Sequence, residues 1–244
     1  YPDTETGEMG IQAIQPEMNQ AVREVAQVLA SLGAEIIENV PMPNARHGIP
    51  TYFVISRVEA ASNLHRFDGV KYGYRTQKPV QDLTELYRVT RAEGFGLQPK
   101  LRILMGMYVS AAAHAAHYYQ KALRVRSLIR ADFERAFDPT GPYRLDALLT
   151  PTTPTTAFRR KEVLRDTVLM QYSDQMTVGA NHAGIPALSI PAGLDPQGLP
   201  IGVQFFGNDF REDLILRVAY AYERATQNAA WRQEIPQALR AEVK

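Results

Sequence analysis

Two charged residues, Arg102 and Asp174, stand among neighbours that suit a binding site for a small zwitterion. Arg102 has apolar residues on both sides, in KLRILMG, and Asp174 lies among small and polar residues, in YSDQMTVGA. A guanidinium and a carboxylate in partly buried positions need partners. They can form structural ion pairs, with each other or with neighbours. Alternatively, Arg102 can grip an α-carboxylate through its planar fork while Asp174 accepts from an α-ammonium. The residue types alone leave both interpretations open.

The sequence lacks the motifs that would carry covalent chemistry by themselves. It has no G-x-S-x-G nucleophile elbow, no GxxxxGK[ST] phosphate loop and no GxGxxG fingerprint. Cysteine is absent, which excludes disulfides, thiolate metal sites and a cysteine nucleophile. His114 and His117 can share a helix face, but the HExxH glutamate and spacing are missing, so we expect an ordinary helix surface rather than a metal site. His182, in an apolar turn, is expected to be packed and hydrogen-bonded.

Positive charges follow one predicted helix and recur after a Pro/Thr-rich segment. A solvated face is the simpler interpretation, and contact with RNA phosphate or a partner protein is the alternative. The formal net charge of the chain is only +1, so overall charge favours neither nucleic acid nor a membrane surface. These basic residues are Lys121, Arg124, Arg126, Arg130 and Arg135, followed by Arg159, Arg160 and Lys161.

The N-terminal half of the chain reads mainly as helices. Pro16 opens an amphipathic helix that Gly33 stops, and a short strand is predicted over 34–40. A second helix is predicted over 50–67, and Asp82 with Glu85 indicates a capping box for a third, up to about residue 92. A long helical segment over 99–137 should contain a break, which we place near Gly106.

The C-terminal half alternates strand and helix patterns. Strands are predicted within 146–156, 187–191 and 200–206, and the last two flank a stretch of hairpin-turn composition. An amphipathic helix follows over 211–227, and a loosely ordered tail over about 228–244. With 244 residues, 45% hydrophobic and 22% charged, the chain fits one compact α/β body spanning 1–244.

Several blocks of the sequence together resemble the A subunits of glutamyl-tRNA(Gln) amidotransferases, a group within the amidase-signature family. The resemblance covers the C-terminal half of those proteins and runs from about residue 16 to 226. The blocks are ISRVEAASNLHRFDGVKYGYR, TRAEGFG with KLRILMG, YYQKALRVRSLIRADF, LLTPTTPTTAF, YSDQMTVGANHAGIPALSIPAG and GLPIGVQFFG. The first two are specific to this group, whereas the TPT-P and PIG-Q blocks are shared more widely in the family.

The resemblance implies a fold and a reaction. The fold is an amidase-signature α/β/α body around a mixed sheet, of which this chain supplies roughly the C-terminal half. The reaction is release of ammonia from glutamine, for conversion of Glu-tRNA(Gln) to Gln-tRNA(Gln). It implies no cofactor in this chain, because ATP and Mg²⁺ are used by a partner subunit. The implied partners are glutamine, the B and C subunits and, mainly through a partner, Glu-tRNA(Gln). A cytoplasmic location without a membrane partner is expected.

The resemblance also assigns site residues. Arg102 matches the arginine that grips the α-carboxylate of glutamine, Asp174 the aspartate that takes the α-ammonium, and Tyr52 a pocket tyrosine. The family's catalytic Lys–Ser–Ser residues lie in a glycine- and serine-rich N-terminal half, and nothing like GGSSGG occurs in this sequence, which starts without Met. We therefore expect the catalytic residues to precede Tyr1 and the isolated chain to be inactive. Another amidase-signature hydrolase of a small amide, or a non-catalytic scaffold, remains as an alternative.

Overall fold

A computed structural model of the chain describes residues 14–159 and 167–234. The helices are α1 (Pro16–Ser31), α2 (Gly48–Leu64), α3 (Leu83–Gly94), α4 (Leu97–Ser110), α5 (Tyr119–Phe137), α6 (Thr167–Tyr172), α7 (Val178–Ala183), α8 (Glu212–Ala225) and α9 (Ala230–Gln233). The strands are β1 (Leu148–Pro151), β2 (Ala187–Leu194) and β3 (Pro200–Phe206). The described residues divide into two compact units, residues 50–125 and the described residues outside that range.

The larger unit is built on a sheet with the order β1-β3-β2, in which both pairings are antiparallel. Thr150 and Ser189 lie opposite Gln204 on either side of the central strand. The hairpin between β2 and β3 is closed by Asp195, whose carboxylate accepts from the backbone N–H groups of Gln197 and Leu199, both at 2.8 Å. The strands predicted within 146–156, 187–191 and 200–206, and the hairpin between the last two, are confirmed.

Helices cover both faces of this sheet. Alternate residues of β3 point to one face, where they pack against α1 and α8. That cluster contains Met18, Val25, Val203, Phe205, Ile215, Ala219 and Tyr222, all buried. On the opposite face, the ring of Phe206 lies 5.4 Å from that of Phe133 in α5. Alternate residues of β3 thus pack against helices on opposite faces of the sheet. The α/β/α arrangement expected for the family is therefore present in this unit.

The segment 34–40 is not the strand that its apolar residues predicted. It follows irregular backbone, with Ile36 and Ile37 exposed. Asn39 has a φ of 59°, a left-handed conformation outside the β region. None of the described strands pairs with this segment. A short apolar run forms a strand only where a neighbour supplies hydrogen bonds, and the local pattern carries no information about that neighbour.

The smaller unit contains α3, α4 and most of α2. The predicted cap of α3 is confirmed, because Asp82 accepts from the Glu85 N–H at 2.7 Å. The Glu85 carboxylate reaches back to the N–H of Gln81 at 2.8 Å, one residue before the position in a standard capping box. Helix α3 is tied to the end of α2 by Arg91, which donates to the carbonyls of Leu64 and Phe67.

The break in the long helical segment exists, but not at Gly106. Helix α4 continues through Gly106 to Ser110, turns occupy 111–118, and α5 begins at Tyr119. Gly106 instead allows α4 to approach α2, because a Cβ atom there would overlap the carbonyl oxygen of Arg57 and lie 2.7 Å from the Cβ of Ala61. The turns are rich in alanine, a strong helix former, so nothing local indicates where the helix ends.

Three further expectations concern the predicted loose tail, the basic residues after the Pro/Thr-rich segment and the absence of a membrane partner. Within the predicted loose tail, 230–233 forms α9 and the guanidinium carbon of Arg232 lies 4.4 Å from the Trp231 ring centroid. Residues 235–244, and the basic residues Arg160 and Lys161, lie outside the described residues. No helix among the described residues is both long and apolar enough to cross a lipid bilayer.

Candidate functional site

Arg102 lies in α4, one helical turn before Gly106, on the face where α4 meets α2. It is half-buried, and no carboxylate among the described residues of its unit lies within ion-pair distance of it. Residues four apart on a helix share a face, so Gly106 and Arg102 both point toward the region of α2 around Arg57. The helix therefore presents an unpaired cation beside the place where the two helices are closest.

Arg57 is the residue of this region that sequence reasoning missed. It is buried, with only 7% of its surface exposed. Its guanidinium carbon lies 3.8 Å from the Phe53 ring centroid and 5.6 Å from that of Tyr52. The Nη1 group donates to Ser56 Oγ at 2.9 Å, whereas Nε, also buried, has no acceptor among the described residues. The Phe53-to-Arg57 spacing of four residues was the available signal, because it puts both on one helix face.

The two guanidinium groups influence each other electrostatically. Burial lowers the pKa of Arg57 most strongly, and the nearby positive charge of Arg102 lowers it further. The Tyr52 side chain acts in the opposite direction and raises this pKa. Of the predicted site residues, Tyr52 and Arg102 thus lie in one region of the smaller unit, and Arg57 interacts with both of them.

Asp174 belongs to the larger unit, in the turn between α6 and α7. Its backbone carbonyl accepts from the N–H groups of Thr177 and Val178 at 3.1 and 3.0 Å. The side chain is exposed rather than partly buried as we expected, because the turn that opens α7 directs residue 174 away from the core. No cation among the described residues of its own unit forms an ion pair with it. Among the described residues of this unit, nothing therefore occupies the carboxylate as an ion-pair partner.

A buried amide holds this turn against the sheet. Nε2 of Gln204, in β3, lies 2.9 Å from the carbonyl oxygen of Met176, 3.0 Å from that of Pro151 and 3.1 Å from Thr150 Oγ1. Its two N–H groups are shared among three acceptors. Met176 is fully buried and lies two residues after Asp174. Sequence reasoning noted the PIG-Q block but not this role, although a glutamine inside an apolar strand was a signal.

Helix α7, which follows the Asp174 turn, is fixed at its other end by the basic helix α5. Arg126 Nε donates to the carbonyl of His182 at 2.9 Å, and Arg130 Nη1 to that of Ala183 at 2.6 Å. Cations suit a helix C-terminus, where carbonyl groups lack intrahelical partners. Arg130 also pairs with Asp209 at 2.6 Å. These members of the basic stretch therefore hold the protein's own backbone.

His182 and His114 behave as packing groups. His182 is buried, and its Nε2 lies 2.9 Å from the carbonyl oxygen of Gly48, which confirms the expected packed and hydrogen-bonded role. Burial lowers the pKa of His182. His114 stacks on Tyr108 with ring centroids 4.2 Å apart. Within 14–159 and 167–234, no group of three or more histidine, aspartate or glutamate side chains is arranged to hold a metal ion.

Comparison with known proteins identifies the family of this chain. Residues 6–216 match the family model described as Amidase. The chain is 48% identical over 233 residues to the A subunit of the glutamyl-tRNA(Gln) amidotransferase of Acaryochloris marina (strain MBIC 11017), covering 96% of this chain and 46% of that protein. It thus spans about half the length of the curated relatives it matches.

Solved structures agree on the fold. The crystal structure of the A subunit of glutamyl-tRNA(Gln) amidotransferase from Thermotoga maritima superposes with a TM-score of 0.62 at 30% identity, covering 87% of this chain and 40% of that one. A bacterial aryl acylamidase of the amidase-signature family gives a TM-score of 0.66 at 18% identity, over 92% of this chain and 43% of that one, which bears on fold alone. With its sequence blocks, its helix-covered sheet and the family match over most of its length, the chain belongs to the amidase-signature family.

Proposed function

We propose that this chain is the substrate-binding half of the glutaminase subunit of a tRNA-dependent amidotransferase. The observation that carries the proposal is its 48% identity, over 96% of its length, to the A subunit of the Acaryochloris marina amidotransferase. In the proposed reaction, water cleaves the side-chain amide of glutamine to give glutamate and ammonia. The ammonia then converts Glu-tRNA(Gln) to Gln-tRNA(Gln).

Arg102 is proposed to hold the α-carboxylate of glutamine. A guanidinium presents two parallel N–H groups to a carboxylate, which fixes orientation as well as charge. The half-buried position of Arg102, without a carboxylate partner among the described residues of its unit, supports this role. Tyr52, whose ring centroid lies 5.6 Å from the guanidinium carbon of the neighbouring Arg57, is proposed to line the same subsite.

Asp174 is proposed to accept hydrogen bonds from the α-ammonium of glutamine. An exposed carboxylate is hydrated and weakly selective, so its value as a ligand depends on a fixed position. The bond from Gln204 to Met176 supplies that position, since it ties the turn to the central strand. The exposure of the Asp174 side chain is compatible with this role, because glutamine must be able to reach the carboxylate.

The chemical step is proposed to use residues outside this chain. In the mechanism implied by the resemblance, a serine activated by a Lys–Ser pair attacks the amide carbon, and backbone N–H groups stabilise the tetrahedral oxyanion. The absence of any GGSSGG-like segment supports the expectation that the isolated chain binds but does not hydrolyse glutamine. ATP and Mg²⁺ are assigned to a partner subunit, and the B and C subunits are the proposed partners.

The test compares the complete glutaminase subunit, bound to its B and C partners, with the 244-residue chain alone. We expect the assembly to release ammonia from glutamine and to form Gln-tRNA(Gln) with ATP, Mg²⁺ and Glu-tRNA(Gln), and the chain alone to do neither. Simple aliphatic amides serve as control substrates. Preferential hydrolysis of those amides, with no amidation of tRNA, would contradict the proposed function and support a general amidase.

A further inference from the structure

The smaller unit contains a buried positive charge that the function described so far does not use. Arg57 is 7% exposed, and no carboxylate among the described residues of its unit lies within ion-pair distance of it. Burying a charge without an oppositely charged partner is unfavourable. For that reason, removing one member of a buried ion pair usually destabilises a protein. A second cation nearby makes the situation worse. The arrangement therefore calls for an anion.

The flat face of the Arg57 guanidinium is already occupied. It lies over the Phe53 ring, with the guanidinium carbon 3.8 Å from the centroid, a cation–π geometry. One edge donates to Ser56 Oγ at 2.9 Å, and the guanidinium carbon lies 5.6 Å from the Tyr52 ring centroid. These contacts fix the group without neutralising it, because neither a ring nor a hydroxyl carries a full negative charge. The position of the charge is thus set before any ligand arrives.

Arg102 brings a second guanidinium to the same region. It lies one turn from Gly106, and α4 approaches α2 so closely at Gly106 that a Cβ atom there would overlap the Arg57 carbonyl oxygen. The positive charge of Arg102 disfavours the charged form of Arg57, so the two groups repel each other in the free protein. An anion placed against Arg102 would relieve this repulsion and be attracted by both charges.

We propose that Arg57 and Arg102 together form a two-guanidinium anion subsite, in which Arg57 is a positioning residue that strengthens binding of the ligand carboxylate held by Arg102. The subsite takes a carboxylate on a small ligand and, resting on the proposed function, that carboxylate is the α-carboxylate of glutamine. Arg57 acts through its charge and through the fixed position that Phe53, Ser56 and Tyr52 give it.

The experiment measures ligand binding, which needs no catalysis. Isothermal titration of the complete subunit gives dissociation constants for L-glutamate and for 4-aminobutanoate, which lacks the α-carboxylate. The ratio of the two constants isolates the contribution of that carboxylate and cancels general damage to the fold. The variants are Arg57→Gln, Arg57→Met, which keeps the apolar stem over Phe53, and Arg57→Lys, which keeps the charge. Arg88→Gln is the matched control, because Arg88 is an exposed arginine of the same unit.

We expect Arg57→Gln and Arg57→Met to lower the ratio of the 4-aminobutanoate dissociation constant to the L-glutamate dissociation constant about tenfold or more, as loss of one unit charge near a partly buried anion predicts. Arg57→Lys and Arg88→Gln should keep the ratio within about threefold of the unsubstituted protein. A ratio unchanged in both charge-free variants would overturn the inference while leaving the proposed glutaminase function intact. Conversely, if the variants change the ratio as expected but the complete subunit has no glutaminase activity, the proposed function would be contradicted and the subsite would stand. Because the two charge-free variants differ in shape, failure of one to fold still leaves the other to decide.

Discussion

The amide nitrogen of Gln204 lies 2.9 Å from the carbonyl oxygen of Met176, and this bond connects the central strand of the sheet to the turn that carries Asp174. The same nitrogen also contacts Pro151 O and Thr150 Oγ1, on the neighbouring strand β1. One buried side chain thus joins two strands and a loop. The position of the proposed ammonium ligand depends on a residue 30 positions further along the chain.

Replacing the Gln204 amide by a carboxylate should break this connection. In Gln204→Glu, oxygen atoms would face two carbonyl oxygens, so a buried donor becomes an unsatisfied acceptor. We expect a loss of about 2–4 kcal/mol in the free energy of unfolding, with a raised glutamine KM in the complete subunit. Urea unfolding followed by circular dichroism measures the first and a glutaminase assay the second. Gln197→Glu, at an exposed position of the hairpin turn, is the control, and an equal loss in both variants would contradict the buried-amide argument.

Gly106 should tolerate no side chain. A Cβ atom there would overlap the Arg57 carbonyl oxygen and crowd Ala61, so Gly106→Ala must push α4 away from α2. We expect a loss of about 1–3 kcal/mol in unfolding free energy, the usual cost of overpacking, despite the higher helix propensity of alanine. Thermal unfolding measures it. Gly96→Ala is the comparison variant, because nothing lies within 4 Å of a Cβ at that position. Gly96 is the N-cap of α4, where alanine is less favourable than glycine, so this variant should lose only about 0.5–1 kcal/mol.

Asp132 anchors the loop before α2 to helix α5. It is 2% exposed and accepts from the Asn44 backbone N–H at 2.8 Å, from Asn44 Nδ2 at 3.0 Å and from Arg135 at 3.3 Å. Asp132→Ala removes the acceptor of the Asn44 backbone N–H, whereas Asn44 Nδ2 keeps the Leu128 carbonyl and Arg135 keeps the Pro41 carbonyl. We expect a cost of about 1–3 kcal/mol in the free energy of unfolding. A double-mutant cycle with Asn44→Ala, measured by urea unfolding, should show coupling between the two residues. Purely additive effects would mean that the loop is held by other contacts.

The pH dependence of stability should include a contribution from His182. Burial lowers its pKa in the folded protein, so the folded state favours the neutral imidazole relative to the unfolded state. Its contribution to stability is therefore complete above the unfolded-state pKa of about 6.5 and is lost as pH falls toward the folded-state pKa, at up to about 1.4 kcal/mol per pH unit. Unfolding free energies measured between pH 8 and pH 5 test this. His182→Gln should flatten the acid limb of the profile, whereas His117→Gln, at an exposed position, should leave it unchanged.

The sequence predicted those features that local patterns determine. The capping box at Asp82, the hairpin around Asp195 and the strands that flank it need only neighbours in the chain, and the structure has them. The strand at 34–40 and the break at Gly106 were wrong, because each depends on what another element supplies. A strand needs a partner, and a helical glycine can serve close packing instead of a bend.

The candidate site divides in the same way. Arg102 and Asp174 were singled out by their residue types and sequence neighbours, and the resemblance of whole blocks supplied the proposed roles of these two residues and of Tyr52. Arg57 and Gln204 lay within those blocks but were not singled out, because their importance comes from contacts across the fold. Only the approach of α4 to α2 makes Arg57 a neighbour of Arg102, and only the packing of the Asp174 turn against β3 gives Gln204 its acceptors.

Arg102 provides the most direct test of the proposed substrate. Truncating one partner of a desolvated charge pair costs roughly 2–5 kcal/mol, so Arg102→Ala in the complete subunit should weaken glutamine use by about 30-fold to several thousand-fold. The effect should appear mainly in the glutamine KM, since the proposed nucleophile is untouched. With ammonia as nitrogen donor, amidation of Glu-tRNA(Gln) by the assembled complex should continue at the normal rate, because ammonia has no carboxylate for Arg102 to hold. Arg88→Ala is the matched control and should change neither rate. An equal fall in glutamine-dependent and ammonia-dependent activity would mean that Arg102 supports the fold or the assembly rather than the substrate.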